Sequence, residues 1–133
     1  MLVFDLETDG LLNDATKIHC LCIYDAIAKE TYTFNDEGNK EPIVRGIQLL
    51  EDAPCVAGHN IINFDLPIIN KFHPWFNRNV DCVDTLLLSK LYHPNLLEID
   101  QKKKWKHMPL KRYGSHSLEA YGYRLGEYKG TFS

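Results

Sequence analysis

Long apolar runs are missing from this chain. The strongest stretches, Thr85 to Leu88 and Ile61 to Ile69, are short or broken, the second by Asn63, Asp65 and Pro67. Neither approaches the roughly 20 residues that span a bilayer, so no membrane helix is expected. The N-terminus, Met1-Leu2-Val3-Phe4-Asp5, lacks the basic region, apolar stretch and small-residue cleavage site of a secretory signal, so the protein is expected to stay where it is made. Cysteine is sparse: Cys20, Cys22, Cys55 and Cys82 include no C-x-x-C pair. These spacings give little support to a zinc site from His19, Cys20, Cys22 and a distant histidine, and the thiols are expected to be buried and reduced. Internal repeats and low-complexity segments are absent as well.

What is present is ordinary for one soluble globular domain covering residues 1–133: 133 residues, 44% apolar and 25% charged. A chain of this length buries roughly two-thirds of the surface it exposes when unfolded, enough for a core without disulfides or a structural metal. The net charge of -3 is unevenly spread. Lys102 to Arg112 holds six of the 15 basic residues and no Asp or Glu, leaving nine basic against 18 acidic residues elsewhere.

Leu2 to Glu7 reads as a strand closed by the turn signal Asp9-Gly10. Ile18 to Tyr24 and Thr31 to Phe34 read as two more strands, and short connections make the three an antiparallel meander. Pro42 opens a helix whose Ile43, Ile47 and Leu50 recur on one face. Pro54 to Gly58 is a buried strand, followed by His59-Asn60 and a helix from about Asp65, with Asp65 as N-cap and Pro67 in its first turn. Val80 to Val83 is the next strand, and Asp84 caps a helix through Leu91. The pattern dissolves from His93 to Gly114 and regains helical character from Ser115 to Leu125, with Gly126 as cap. Leu86, Leu87, Leu91, Tyr121 and Tyr123 are assigned to core packing. The order predicts an α/β fold, a mixed sheet with helices on its faces.

Alternation along a strand places Asp5 and Glu7 on one face and Phe4 and Leu6 on the other. Two carboxylates held together repel unless one protonates or a cation intervenes, and oxygen ligands select Mg²⁺ or Mn²⁺ over zinc. Asp-x-Glu alone is a weak signal, because exposed acidic strand ends are common. The segment His59 to Asp65 strengthens it: a buried strand ends in a polar pair and a third carboxylate follows, and α/β sheets gather their sites at such strand ends. Taken singly, Asp65 could be only a helix cap, Asn60 a turn residue and His59 a loop histidine. In the basic stretch, Lys102, Lys103, Lys104, Trp105 and Lys106, with Lys111, Arg112 and Tyr113, interleave cations with aromatics, a pairing that suits single-stranded nucleic acid. A merely solvated loop is the competing explanation.

Asp5-Leu6-Glu7 and Asn60-x-x-x-Phe64-Asp65 resemble the first two motifs of the DEDD 3′→5′ exonucleases, proofreading nucleases with a ribonuclease-H-like fold. More narrowly, Phe4 to Glu7, Thr16 to Cys20, Ile23 to Asp25, His59-Asn60, Asp84 to Leu86 and Gly114 to Gly126 resemble the N-terminal region of the family A DNA polymerases of short-tailed bacteriophages. The resemblance implies a ribonuclease-H-like sheet, a three-stranded antiparallel meander plus parallel strands, flanked by helices and lacking its final helix. It implies that Asp5 bridges two divalent metals, Mg²⁺ or Mn²⁺, that Glu7 holds one, and that Asp65 supports the second. Asn60 and Phe64 match positions that shape the nucleotide pocket. The implied partners are a single-stranded DNA 3′ end and the polymerase part of the same or a separate chain, in the cytoplasm of an infected bacterial host.

The family's third motif, Tyr-x-x-x-Asp or His-x-x-x-x-Asp, is not found. No Asp follows Asp100, Tyr128 is followed four residues later by Phe132, and His93 with Glu98 is only a remote imitation. The chain is therefore expected to be truncated before that motif. Two functions follow from the resemblance: a metal-dependent proofreading exonuclease region of a phage DNA polymerase, or a catalytically incomplete nucleic-acid-binding module that needs a further segment. A stand-alone ribonuclease fits less well, because of the Gly114 to Gly126 stretch.

Overall fold

Strand β1, Leu2–Thr8, shows the alternation at once: Phe4 and Leu6 are buried, while Asp5 and Glu7 are exposed. The computed structural model describes residues 1–37, 41–76 and 81–127. They fall into two compact units, Met1–Thr85 and Leu86–Ser133.

The first unit holds the whole sheet. β2, Ile18–Asp25, pairs antiparallel with β1, and β3, Glu30–Phe34, pairs antiparallel with β2. β4, Val56–Gly58, runs parallel to β1, and β5, Cys82–Asp84, runs parallel to β4. The strand order is β3-β2-β1-β4-β5, the mixed sheet expected. The strand anticipated from Val80 is shorter, and Val80 lies outside the described residues.

Helix α1, Ile43–Asp52, follows Pro42 and buries Ile43, Gly46, Ile47 and Leu50, one stripe at helical spacing. Ile43, Ile47 and Leu50 join Phe4, Leu6, Leu21, Ile23, Phe34, Val56 and Ile61 in the core. Gly46 lets the helix approach closely: a Cβ there would lie 2.6 Å from Leu21 Cδ2 and 2.7 Å from Phe34 Cδ2. Gly46→Val is accordingly expected to destabilise by about 1–3 kcal/mol through overpacking, more than any gain in helix propensity returns. Urea denaturation checks this, and an unchanged midpoint would contradict it.

A π-helical turn, Ile61–Asp65, leads into α2, Leu66–Phe72. α3, Thr85–Tyr92, begins at the last residue of the first unit. The second unit adds α4, Leu96–Lys103, a short 3₁₀ turn, Leu110–Arg112, and α5, Leu118–Leu125. α5 starts on Ser117, whose hydroxyl accepts the Ala120 N–H at 3.1 Å, and ends on Gly126 at φ 75°.

Three expectations need correction here. The helix α4 lies where a featureless stretch was anticipated. Its buried residues are Leu96 and Asp100, so half of its buried stripe is a carboxylate that apolar periodicity cannot register. Leu87 and Leu91 are exposed, Leu91 at 71%, and the buried residue of α3 is Ser89, hydrogen-bonded to His116 Nδ1 at 2.6 Å and to the Tyr121 hydroxyl. All four cysteines are free thiols, but half-buried rather than buried.

Candidate active site

β4 pairs with β1 only alongside Leu2 and Val3. Further along that edge, the Leu6 N–H finds no strand partner and donates instead to Asp65 Oδ2 at 3.1 Å. Asp65 is thereby tied to the backbone between Asp5 and Glu7, the two residues whose side chains leave the opposite face from Leu6. Asp65 is only 4% exposed. It has helical backbone angles and its carboxylate caps no helix, so the N-cap role expected from sequence gives way to this long-range bond.

The surroundings of Asp65 disfavour its charge. Burial, then the negative charge of Asp5, and more weakly that of Asp84, push its carboxyl up to about 7 against the opposing pull of the Leu6 N–H. A proton or a cation relieves such crowding. Across the β1–β2 ladder, Asp5 faces Cys22 and Glu7 faces Cys20. The two sulfurs are 3.7 Å apart, and burial, Cys22 and then the Glu7 and Asp5 charges push the Cys20 thiol up to about 11.

The turn before Asp65 is held from β5. Asp84, 5% exposed, accepts the Asn60 N–H on Oδ1 at 2.9 Å and the Ile62 N–H on Oδ2 at 3.0 Å. Asn60 itself sits at φ 62°, a conformation asparagine tolerates better than most residues. His59 Nδ1 lies 2.9 Å from the Thr85 hydroxyl, and Phe64 packs partly buried against the core.

Among the described residues, no three His, Cys, Asp or Glu side chains stand together as a finished metal-ligand set. The donor chemistry nevertheless fits a hard divalent cation: two exposed carboxylates on one strand face, and a third, buried carboxylate whose charge is penalised by the first. Asp5 and Glu7, joined by Asp65, are the residues that could hold it.

The basic residues gather in the second unit. Lys102 and Lys103 form the last turn of α4, where cations complement the helix dipole, and Lys104 ends it at φ 50°. Lys102, Lys103, Lys104, Lys106 and Lys111 are exposed. Two members of the predicted set are engaged within the protein. Trp105 is half-buried with Nε1 donating to Asp100 Oδ1 at 2.8 Å, and Arg112 pairs with Glu119 at 2.8 Å.

Sequence reasoning missed Asp100. Fully buried, it accepts from Arg124 Nε at 2.9 Å, Arg124 Nη2 at 2.7 Å, the Gly114 N–H at 2.7 Å and Trp105. It therefore ties together both ends of the lysine-rich segment. The only signal was an isolated acid at the edge of a basic run.

Residues 2–121 match the family model described as RNase_H superfamily. The chain is 36% identical over 140 residues to the DNA-directed DNA polymerase of Enterobacteria phage T3, a match covering 99% of this chain and 20% of that protein. It is 37% identical over 146 residues to the DNA-directed DNA polymerase of Escherichia phage T7, again covering 99% of this chain and 20% of the relative. The chain thus spans about a fifth of the length of these curated relatives. Among solved structures, the family B DNA polymerase of Pyrobaculum calidifontis aligns at TM-score 0.41 and 20% identity, over 53% of this chain and 10% of its own.

Proposed function

The chain belongs to the RNase_H superfamily, and from that premise we propose that it is the metal-dependent 3′→5′ proofreading exonuclease region of a phage DNA polymerase. Nucleases of this superfamily generally use divalent metal ions. The observation that carries the reading is Asp65, a buried carboxylate bonded to the β1 backbone between Asp5 and Glu7 and pushed up to about 7 by burial and by Asp5.

In this reading, two Mg²⁺ or Mn²⁺ ions would be held by Asp5, Glu7 and Asp65, with Asp5 serving both, Glu7 one and Asp65 supporting the other. Bound divalent ions supply an activated water and charge stabilisation at a leaving 3′-oxygen. The protein's part is to fix the carboxylates. The Leu6 N–H holds Asp65 in place, while β1 presents Asp5 and Glu7 together. Asn60 and Phe64 shape the pocket for the terminal nucleotide. The exposed lysines of the second unit would follow the DNA backbone, offsetting the repulsion expected from a chain with an excess of acidic residues. The polymerase part, in the same or a separate chain, is the partner, and the setting is the cytoplasm of the infected host.

A second reading has its own observation. No Asp follows Asp100, so these residues contain no third-motif carboxylate. The region then binds metal and single-stranded DNA but needs a further segment for chemistry. Cleavage of a 3′-labelled single-stranded DNA with Mn²⁺ or Mg²⁺ separates the two. Metal-dependent release of single 3′-terminal nucleotides supports the first, whereas binding without cleavage supports the second. Neither binding nor cleavage would overturn both.

Replacing Lys102, Lys103 and Lys104 together by alanine is expected to weaken single-strand binding and flatten its salt dependence by about 0.7 in log–log slope for each phosphate no longer neutralised. Fluorescence anisotropy across a salt series reads this directly. An unchanged slope would return these lysines to a purely solvating role.

A further inference from the structure

One sequence element stands outside the carboxylate site: Asp84-Thr85, at the junction of β5 and α3. Both side chains reach back to the segment Gly58–Ile62. The Asp84 carboxylate takes the Asn60 and Ile62 amides at 2.9 and 3.0 Å. The Thr85 hydroxyl donates to the Gly58 carbonyl at 3.3 Å and shares a 2.9 Å hydrogen bond with His59 Nδ1.

We propose that Asp84 is a positioning residue for the substrate end of the site, setting the backbone at Asn60 independently of the carboxylate end at Asp65. This rests on the exonuclease reading. The physical case is local. The first amides of any helical turn have no partner within it, and a carboxylate is their strongest acceptor. Here the acceptor is almost wholly buried, so water cannot substitute for it. Asn60 is held in the left-handed region, which needs outside support to persist. Close packing leaves little slack: a Cβ on Gly58 would lie 2.3 Å from Ile61 Cγ2 and 2.8 Å from the Phe4 carbonyl oxygen. The turn is thus gripped at two separate points, by Asp84 at Asn60 and Ile62 and by the Leu6 N–H at Asp65.

Two grips imply a split phenotype. Asp84→Asn keeps the shape but turns one acceptor into a donor facing an N–H. Affinity for a single-stranded oligonucleotide made cleavage-resistant by a 3′-terminal phosphorothioate is expected to fall about tenfold, the worth of one charge-assisted hydrogen bond. Mn²⁺ affinity, read by calorimetry, should stay within about threefold, since the charge of Asp84 bears on Asp65 more weakly than burial or Asp5 does. Amide hydrogen exchange supplies a readout independent of function: Asn60 and Ile62 should lose protection while Leu6 keeps it. Retained protection at Asn60 and Ile62, undiminished DNA affinity, or a parallel fall in metal and DNA affinity would each overturn the inference. If the wild-type chain binds neither Mn²⁺ nor the oligonucleotide, the exonuclease reading fails, and the exchange pattern alone then decides whether Asp84 grips the turn.

Discussion

Asp5→Ala should eliminate metal-dependent cleavage by the wild-type site, a loss of about a thousandfold or more, because the carboxylate assigned to both ions disappears. Mn²⁺ binding should weaken with it. The fold should survive: Asp5 is exposed on β1, while Phe4 and Leu6 hold the strand to the core. Surface substitutions of this kind usually change stability by no more than about 0.5 kcal/mol. The measurement is a time course of 3′-end release from labelled single-stranded DNA for wild type and variant, beside urea melts of both. Full cleavage by a folded Asp5→Ala protein would remove Asp5 from the site and with it the argument from Asp65. An unfolded variant would be answered by Asp5→Asn, which keeps the volume and removes the charge.

The half of the candidate site on β1 was readable as a geometry because a strand's period is two: Asp5 and Glu7 had to share a face if Phe4 and Leu6 were buried. Asp65 was readable as a position but not as a geometry. At the start of a helix an aspartate ordinarily caps its own amides, and only the early end of β4 leaves a free Leu6 N–H to capture it instead. Asp84 was readable as the residue before α3, but not as the acceptor of amides 22 and 24 residues earlier in the chain. In both cases the tertiary partner is one that periodicity cannot see. The mixed sheet with its antiparallel meander, by contrast, was legible from the short links between β1, β2 and β3 and the helical segments before β4 and β5. The leucines of α3 show the opposite failure, since an apolar run looked like core while the buried position of that helix went to Ser89.

Asp100→Ala is expected to be the most destabilising single change in the second unit. Arg124 has a side chain only 6% exposed and stacks over Tyr121 with its guanidinium carbon 4.9 Å from the ring centroid. Removing its partner leaves a buried cation with only the Ser115 carbonyl and the Tyr121 ring beside it, along with the stranded Gly114 and Trp105 donors, at a cost of about 3–5 kcal/mol. Replacing Asp100 and Arg124 together by apolar residues should cost much less, because the penalty lies in the orphaned charge. Acid provides an independent check. Burial alone would raise the Asp100 carboxyl, but the hydrogen bonds from Arg124, Gly114 and Trp105 outweigh it and hold it at about 2. A folded value below the unfolded one means the ionised form stabilises the fold. Its contribution, roughly 2–3 kcal/mol, is complete above about pH 4 and is lost as pH falls toward 2. Urea melts between pH 7 and pH 2 should show that decline in the wild type and a shallower one in Asp100→Ala. Hydrogen exchange should place the neutral-pH loss in α4, α5 and the lysine-rich segment between them, and single-strand affinity should drop in parallel because Asp100 holds both ends of that segment. A variant with wild-type stability and unchanged acid response would show that Arg124 finds another partner and that the buried pair is not what orders the basic residues.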